Sequence, residues 1–271
     1  MDYKKQNNDI ILKQADFDLA ETLDCGQAFR WKQIQTADGF DTTYSGFFLN
    51  KPLTISQKND IFAFHNTTES DFLNIWADYF DLNTDYGELK NTFSSDNTLK
   101  KACEFAGGIR LLKQDSWECL CSFIISQNNN IPRIKGIISR LCEHYGGFPT
   151  PKQLAAETVE GLDYLRSGFR AKYIIDASQK VASGIVDLNN IADMDIQEAR
   201  QSLMLIKGVG KNVAECVLLF GMYRTEAFPV DVWINRVMQE YYPQGIPDCA
   251  KNNCGIAQQY LFHYVRNCSD N

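Results

Sequence analysis

The 271-residue sequence predicts an α+β protein, an N-terminal antiparallel β-sheet subdomain followed by a larger all-helical subdomain. Three observations predict it. Short runs rich in aromatic and β-branched residues follow one another between residues 24 and 65. Apolar residues shift to helical spacing at about residue 68. Beyond residue 108 almost every segment keeps that spacing. The expected division is 1–107 for the sheet with its flanking helices and 108–271 for the helical part.

In chain order, FRWKQI, TYSGFFL, PLTISQ and IFAFHN read as strands, separated by Asp-Gly, Asn-Lys-Pro and Lys-Asn-Asp turns. TESDFLNIWADYF opens on a Thr-x-x-Asp cap and continues as a helix. NTLKKACEFAGG reads as a further helix closed by glycines. SWECLCSFIISQ is a buried helix. PRIKGIISRLCEHYGG is an amphipathic one, with Pro132 in its first turn and Gly146-Gly147 after its end. PKQLAAET, AKYIIDASQKVASG, DIQEARQSLMLI, KNVAECVLLFGM, DVWINRVMQEYY and AQQYLFHYVRN complete the helical series.

Composition narrows the function classes. No apolar run approaches the roughly 20 residues of a membrane helix, and MDYKKQNNDI has no apolar stretch after its lysines, so a cytoplasmic protein is expected, nucleoid-associated in a prokaryote. Nine cysteines in mostly apolar surroundings read as reduced, buried thiols. With no C-x-x-C pair they suit neither a zinc site nor a four-cysteine cluster, and no cofactor is expected. The net charge of −7 argues against nucleic acid until it is located. Residues 1–100 carry 16 acidic and 9 basic side chains, and the remainder carries 18 of each. The acidic excess is thus confined to the first third, which leaves room for a local basic face.

The segment with most chemical content is LMLIKGVGKNVAECVLLFGMYRTEAFPVDVWINRV, residues 203–237. A helix ends near Ile206, Gly208-Val209-Gly210 makes a tight turn, and a second helix starts at about Lys211, giving a helix–hairpin–helix over about 198–221. Glycines beside unpaired helix N–H groups suit a phosphate, although the same turn serves as a plain helix corner. Asp231 follows a Pro-Val pair and precedes an amphipathic segment, as an N-cap does. Equally, it suits a carboxylate placed to stabilise positive charge developing on a sugar.

A helix, a G-V-G hairpin, a second helix and then P-V-D resembles the helix–hairpin–helix superfamily of DNA glycosylases. LDCGQAFRW (23–31), the stretch 107–146 with its three asparagines, SGFRAKYI (167–174) and IAQQYLF (256–262) are similar to the eukaryotic-type 8-oxoguanine DNA glycosylases. The resemblance runs in order over most of residues 20–262. It implies an enzyme of base-excision repair that flips oxidised guanine out of duplex DNA and excises it opposite cytosine, acting as a monomer. The family also nicks the resulting abasic site.

The resemblance assigns roles residue by residue. Asn128 enters the gap and contacts the orphaned cytosine, which Arg133 and Arg170 read. Phe169 is the aromatic wedge. The Gly26 carbonyl accepts the N7–H that oxidation creates and repels the bare N7 of guanine. That mismatch costs on the order of 1–3 kcal/mol in a dry pocket. Cys216 and Phe262 sandwich the flipped base, and Gln258 contacts its pairing edge. Gly208, Val209, Gly210 and Lys211 lie along the DNA-binding hairpin, and the carbonyls of Ile206 and Val209 are candidates for a monovalent cation.

Two positions depart from the family pattern. The Schiff-base lysine belongs two residues after the second hairpin glycine, where this chain has Asn212. An amide nitrogen cannot attack the sugar C1′. Lys211, one residue earlier, lies about 100° around the helix axis. Three readings stand open: a lysine replaced so that recognition persists without chemistry, which the intact recognition positions favour; a monofunctional glycosylase in which Asp231 activates water; or Lys211 as substitute nucleophile. The second departure is Trp233, where animal members have a histidine, and it puts a phosphate contact in question. The rival functions are a monofunctional alkylated-base glycosylase on the same fold and a non-catalytic DNA-binding module. An endonuclease III-like enzyme is disfavoured by the C-terminal cysteine spacing.

Overall fold

The computed structural model describes residues 1–268. In one unit, residues 1–113 with the chain from Val230 onward, six strands form one antiparallel sheet in the order β1-β2-β6-β5-β4-β3. They are β1 Asp2–Gln6, β2 Asp9–Lys13, β3 Lys32–Gln33, β4 Thr42–Phe48, β5 Lys51–Lys58 and β6 Ile61–His65. Alternation sets the register: Ile10 pairs with Phe64, Leu12 with Phe62 and Ile55 with Phe64. All five side chains are fully buried. They pack on the helical stretch through Glu69–Asp71, Phe72–Trp76 and Ala77–Tyr79, whose middle section is a π-helix.

Two departures from the sequence expectation have local causes. β1 and β2 lie ahead of residue 24, where no strand was expected. β1 is a mostly exposed edge strand without alternation, and the Asn7-Asn8 turn that joins it to β2 places Asn7 at φ 55°. FRWKQI contributes only Lys32–Gln33, because Phe29 and Trp31 are irregular backbone buried in the core. The Trp31 ring lies so close to β4 that a Cβ on Gly46 would stand 2.3 Å from it, and its indole N–H donates to the Tyr79 hydroxyl at 2.7 Å.

The second unit, residues 114–229, is helical. It contains Ser116–Ser126, Ile131–Tyr145, Ala171–Ala182, Ile196–Met204 and Lys211–Cys216, the last continuing as a π-helix through Val217–Gly221. The expected 108–271 division differs from this partition, and its last three residues lie outside the described residues. The chain returns after 229, and the helix Cys254–Cys268 packs within the sheet-bearing unit. Tyr260 packs edge-on to Phe93 and donates its hydroxyl to the Ile109 carbonyl at 3.1 Å, and Tyr264 packs edge-on to Phe105. Asp231, Gln258 and Phe262 therefore belong with Gly26, while Asn212 and Cys216 belong to the other unit. Among the described residues no helix is long and apolar enough to cross a membrane.

Candidate functional site

In the helical unit the three asparagines have three jobs. Asn130 caps the helix Ile131–Tyr145 by accepting the Arg133 N–H at 3.0 Å. Asn129 donates to the Ile125 carbonyl at 3.1 Å at the end of the preceding helix. Asn128 is exposed and held at φ 47°, a left-handed conformation that asparagine tolerates better than most residues. Arg170, buried beneath this loop, fixes it: its guanidinium donates to the carbonyls of Gln127, Asn128 and Ser167. Burial, then the neighbouring Arg133, lower the pKa of Arg170 from the ordinary arginine value. Arg133 is exposed and donates to the Arg166 carbonyl at 3.3 Å. Phe169, 45% exposed, covers the Arg170 guanidinium at 4.5 Å. Asn128, Arg133, Phe169 and Arg170 thus form one cluster, with Arg170 its organising member rather than a surface group.

Tyr173 joins this cluster to the hairpin and was not anticipated from sequence. Its ring meets Phe169 at 5.8 Å and fills the space beside Gly208, where a Cβ would lie 2.4 Å from it. Gly208 also has φ +81°, so both backbone and packing demand glycine. Gly210 has neither constraint, with φ −94° and nothing within 4 Å of a notional Cβ. The chain itself gives no steric reason for glycine there, which fits a close external approach at the start of the helix. Replacing Gly208 with alanine is expected to destabilise the protein by about 1–3 kcal/mol, as overpacking does. Gly210→Ala should leave the melting temperature in place while weakening duplex affinity. Thermal melts and a filter-binding titration check the pair.

Side-chain ties hold the hairpin. Glu215 pairs with Arg200 of the preceding helix and accepts the Phe228 N–H at 2.9 Å. Asp176 accepts the Lys207 N–H at 2.6 Å, and Lys180 donates to the Leu205 carbonyl at 2.7 Å. The Ile206 carbonyl accepts the Val209 N–H at 3.0 Å. Lys211 and Asn212 are the exposed first and second residues of the following helix. Cys216 is buried, its carbonyl 3.9 Å from the Cys119 thiol. The stretches 127–135, 166–172 and 207–212 hold Arg133, Lys135, Arg166, Arg170, Lys172, Lys207 and Lys211 and no acidic residue. Arg170 apart, which is buried, these side chains make the local surface basic where the overall charge is negative.

In the sheet-bearing unit, Gly26 has φ 92° in the loop after the helix Leu19–Leu23. Gln27, 1% exposed, pins that loop by donating to the carbonyls of Thr22 and Arg110 and accepting from the Leu112 N–H. Gln258 is buried, and the half-buried Phe262 has the Arg266 guanidinium 5.8 Å from its ring. Asp231 is the N-cap of Val232–Glu240, accepting the Ile234 N–H at 2.8 Å. Burial raises its carboxyl pKa above the ordinary value, against the opposing effect of backbone N–H groups and Arg266. The helix cap is thus a carboxyl that holds its proton more tightly than an ordinary aspartate. Trp233, two residues on, stacks with Arg236 at 5.1 Å. Among the described residues no group of three or more metal-ligating side chains occurs.

Residues 9–120 match the family model described as 8-oxoguanine DNA glycosylase, N-terminal domain, and residues 121–246 match that of the HhH-GPD superfamily of base excision DNA repair proteins. An N-glycosylase/DNA lyase of Saccharomyces cerevisiae is 30% identical over 86% of this chain and 70% of its own length. The Clostridium acetobutylicum 8-oxoguanine glycosylase/lyase, solved with duplex DNA containing cytosine opposite 8-oxoguanine, is 34% identical over 99% of both chains, with a TM-score of 0.87. A 3-methyladenine DNA glycosylase of Archaeoglobus fulgidus shares the fold at 18% identity, with a TM-score of 0.65 over 94% of this chain and 98% of its own.

Proposed function

Because this chain belongs to the 8-oxoguanine DNA glycosylase family, we propose that it excises 8-oxoguanine opposite cytosine by hydrolysis and leaves the DNA strand unbroken. One observation carries the reading: the position of the nucleophilic amine is held by Asn212, whose amide forms no Schiff base. The carboxylate needed for a hydrolytic route remains in Asp231, whose raised affinity for protons suits a group that takes one from water. As the glycosidic bond breaks, its negative charge offsets the positive charge developing on the sugar, and water adds at C1′.

The exposed Asn128 tip, the Phe169 ring and the surrounding basic stretches support extrusion of the base and hold on the backbone. Gly26, Gln258 and Phe262 of the sheet-bearing unit receive the extruded base in this reading. The product is an abasic site with an intact phosphodiester, so the next reaction must act on abasic DNA, by hydrolysis or by β-elimination. The test is a duplex with one 8-oxoguanine opposite cytosine, incubated with the chain and run with and without hot alkali. Strand breaks are expected only after alkali. Breaks without alkali exclude the hydrolytic route, and release only from a 3-methyladenine duplex moves the assignment to alkylated bases.

A further inference from the structure

We propose that Gln259 is a positioning residue that sets the orientation of the Gln258 carboxamide and thereby tunes recognition of the extruded base. The inference rests on the assignment of Gln258 to that base. The helix Cys254–Cys268 is buried from Cys254 to Leu261, and in that stretch two consecutive carboxamides, Gln258 and Gln259, are each 4% exposed. Burying an amide is unfavourable unless its polar atoms are matched, and apolar residues would fill this helix face more cheaply. Two buried amides in succession therefore call for a reason beyond packing.

The geometry supplies one. The Gln259 Nε2 group donates to the Gln258 Oε1 atom at 2.7 Å. Behind it, the Gln259 Oε1 atom lies 3.7 Å from the Cys25 thiol, which also reaches the Thr22 carbonyl at 3.2 Å. Burial pushes the Cys25 thiol up to about 11, so it stays protonated at neutral pH and remains a donor. Cys25 immediately precedes Gly26, the residue assigned to the N7–H of the lesion. The polar contacts thus run from the Gly26 loop through Gln259 to Gln258. A carboxamide is planar, with acceptor and donor on opposite arms. Holding its oxygen toward Gln259 turns the amino arm away and selects which groups on a base edge it matches.

The test uses the full chain, a duplex with a 2′-fluorinated, non-hydrolysable 8-oxoguanosine opposite cytosine, and a control duplex with a tetrahydrofuran abasic analogue, which offers no base to read. Gln258→Ala and Gln259→Met are each expected to weaken binding of the lesion duplex about three- to tenfold, the worth of one hydrogen bond. Affinity for the tetrahydrofuran duplex should not change. The double variant should lose no more than either single one. Gln259→Asn, which keeps a buried amide but draws it back by one methylene, gives a second route if methionine disturbs folding. If Gln259→Met and Gln259→Asn bind the lesion like the parent while Gln258→Ala does not, the positioning role is overturned and the assignment of Gln258 stands. If Gln258→Ala has no effect, that assignment fails first. Additive losses, or equal losses on the tetrahydrofuran duplex, leave Gln259 a structural residue only.

Discussion

Replacing Asn212 with lysine is expected to convert the chain from an enzyme that leaves an alkali-labile abasic site into one that nicks the strand itself. Borohydride should then trap a covalent protein–DNA adduct that the parent does not form. Asn212 is exposed at the second position of its helix, so a lysine there can extend into solvent. The helix N-terminus carries partial positive charge. It disfavours a second cation there and enlarges the neutral, nucleophilic fraction of the introduced amine. Attack at C1′ then expels the base and forms the iminium that β-elimination requires. The control is Lys211→Ala in the parent background. Adduct in the parent that disappears with Lys211→Ala makes Lys211 the nucleophile after all. If the parent releases no base while the Asn212→Lys protein both releases and nicks, excision itself needs the amine. This chain is then competent in recognition but deficient in chemistry.

How much of this was legible in the sequence depends on the kind of signal each part leaves. The hairpin was readable because a glycine with positive φ leaves a mark in sequence, as Gly208 does, and Asp231 was readable as the cap of the helix that follows it. The strands β4 to β6 were readable from alternation and turns, whereas β1 carries lysines on an exposed edge and shows neither. The course of the chain after residue 229 left no such mark. Helical periodicity tells that Cys254–Cys268 is a helix, but not that Tyr260 and Tyr264 direct it back onto residues 93–109. Tyr173, Gln27 and Gln259 act through side-chain contacts set by the folded chain, most of them with residues distant in sequence, and no periodicity records these. The pair Gln258-Gln259 inside an apolar helix was the one available hint. Arg170 was found by resemblance, yet its burial and its bonds to three carbonyls belong to the folded chain alone.

Asp231→Asn should abolish most base release while leaving the fold unharmed, and the two measurements together separate chemistry from capping. Asparagine caps a helix about as well as aspartate, so the bond to the Ile234 N–H persists. What is lost is the negative charge and the capacity to accept a proton, and the expected fall in single-turnover base release is on the order of 100- to 10,000-fold. Stability should move the other way. The folded-state pKa of Asp231 is raised above that of an ordinary aspartate, chiefly by burial. A raised carboxyl contributes stability that is fully present below its unfolded pKa and is lost as pH rises through the folded one. At neutral pH the parent therefore bears the cost of an ionised, half-buried carboxylate, and the asparagine variant should melt at the same temperature or higher. Toward acid, where the carboxyl is protonated in both folded and unfolded chains, the difference should vanish. The same shift puts the acidic limb of the parent's kcat/KM profile above that of an ordinary aspartate. A variant that melts lower at neutral pH, with release reduced only in proportion to its folded fraction, would assign Asp231 to the cap alone. The hydrolytic proton acceptor would then have to be sought elsewhere.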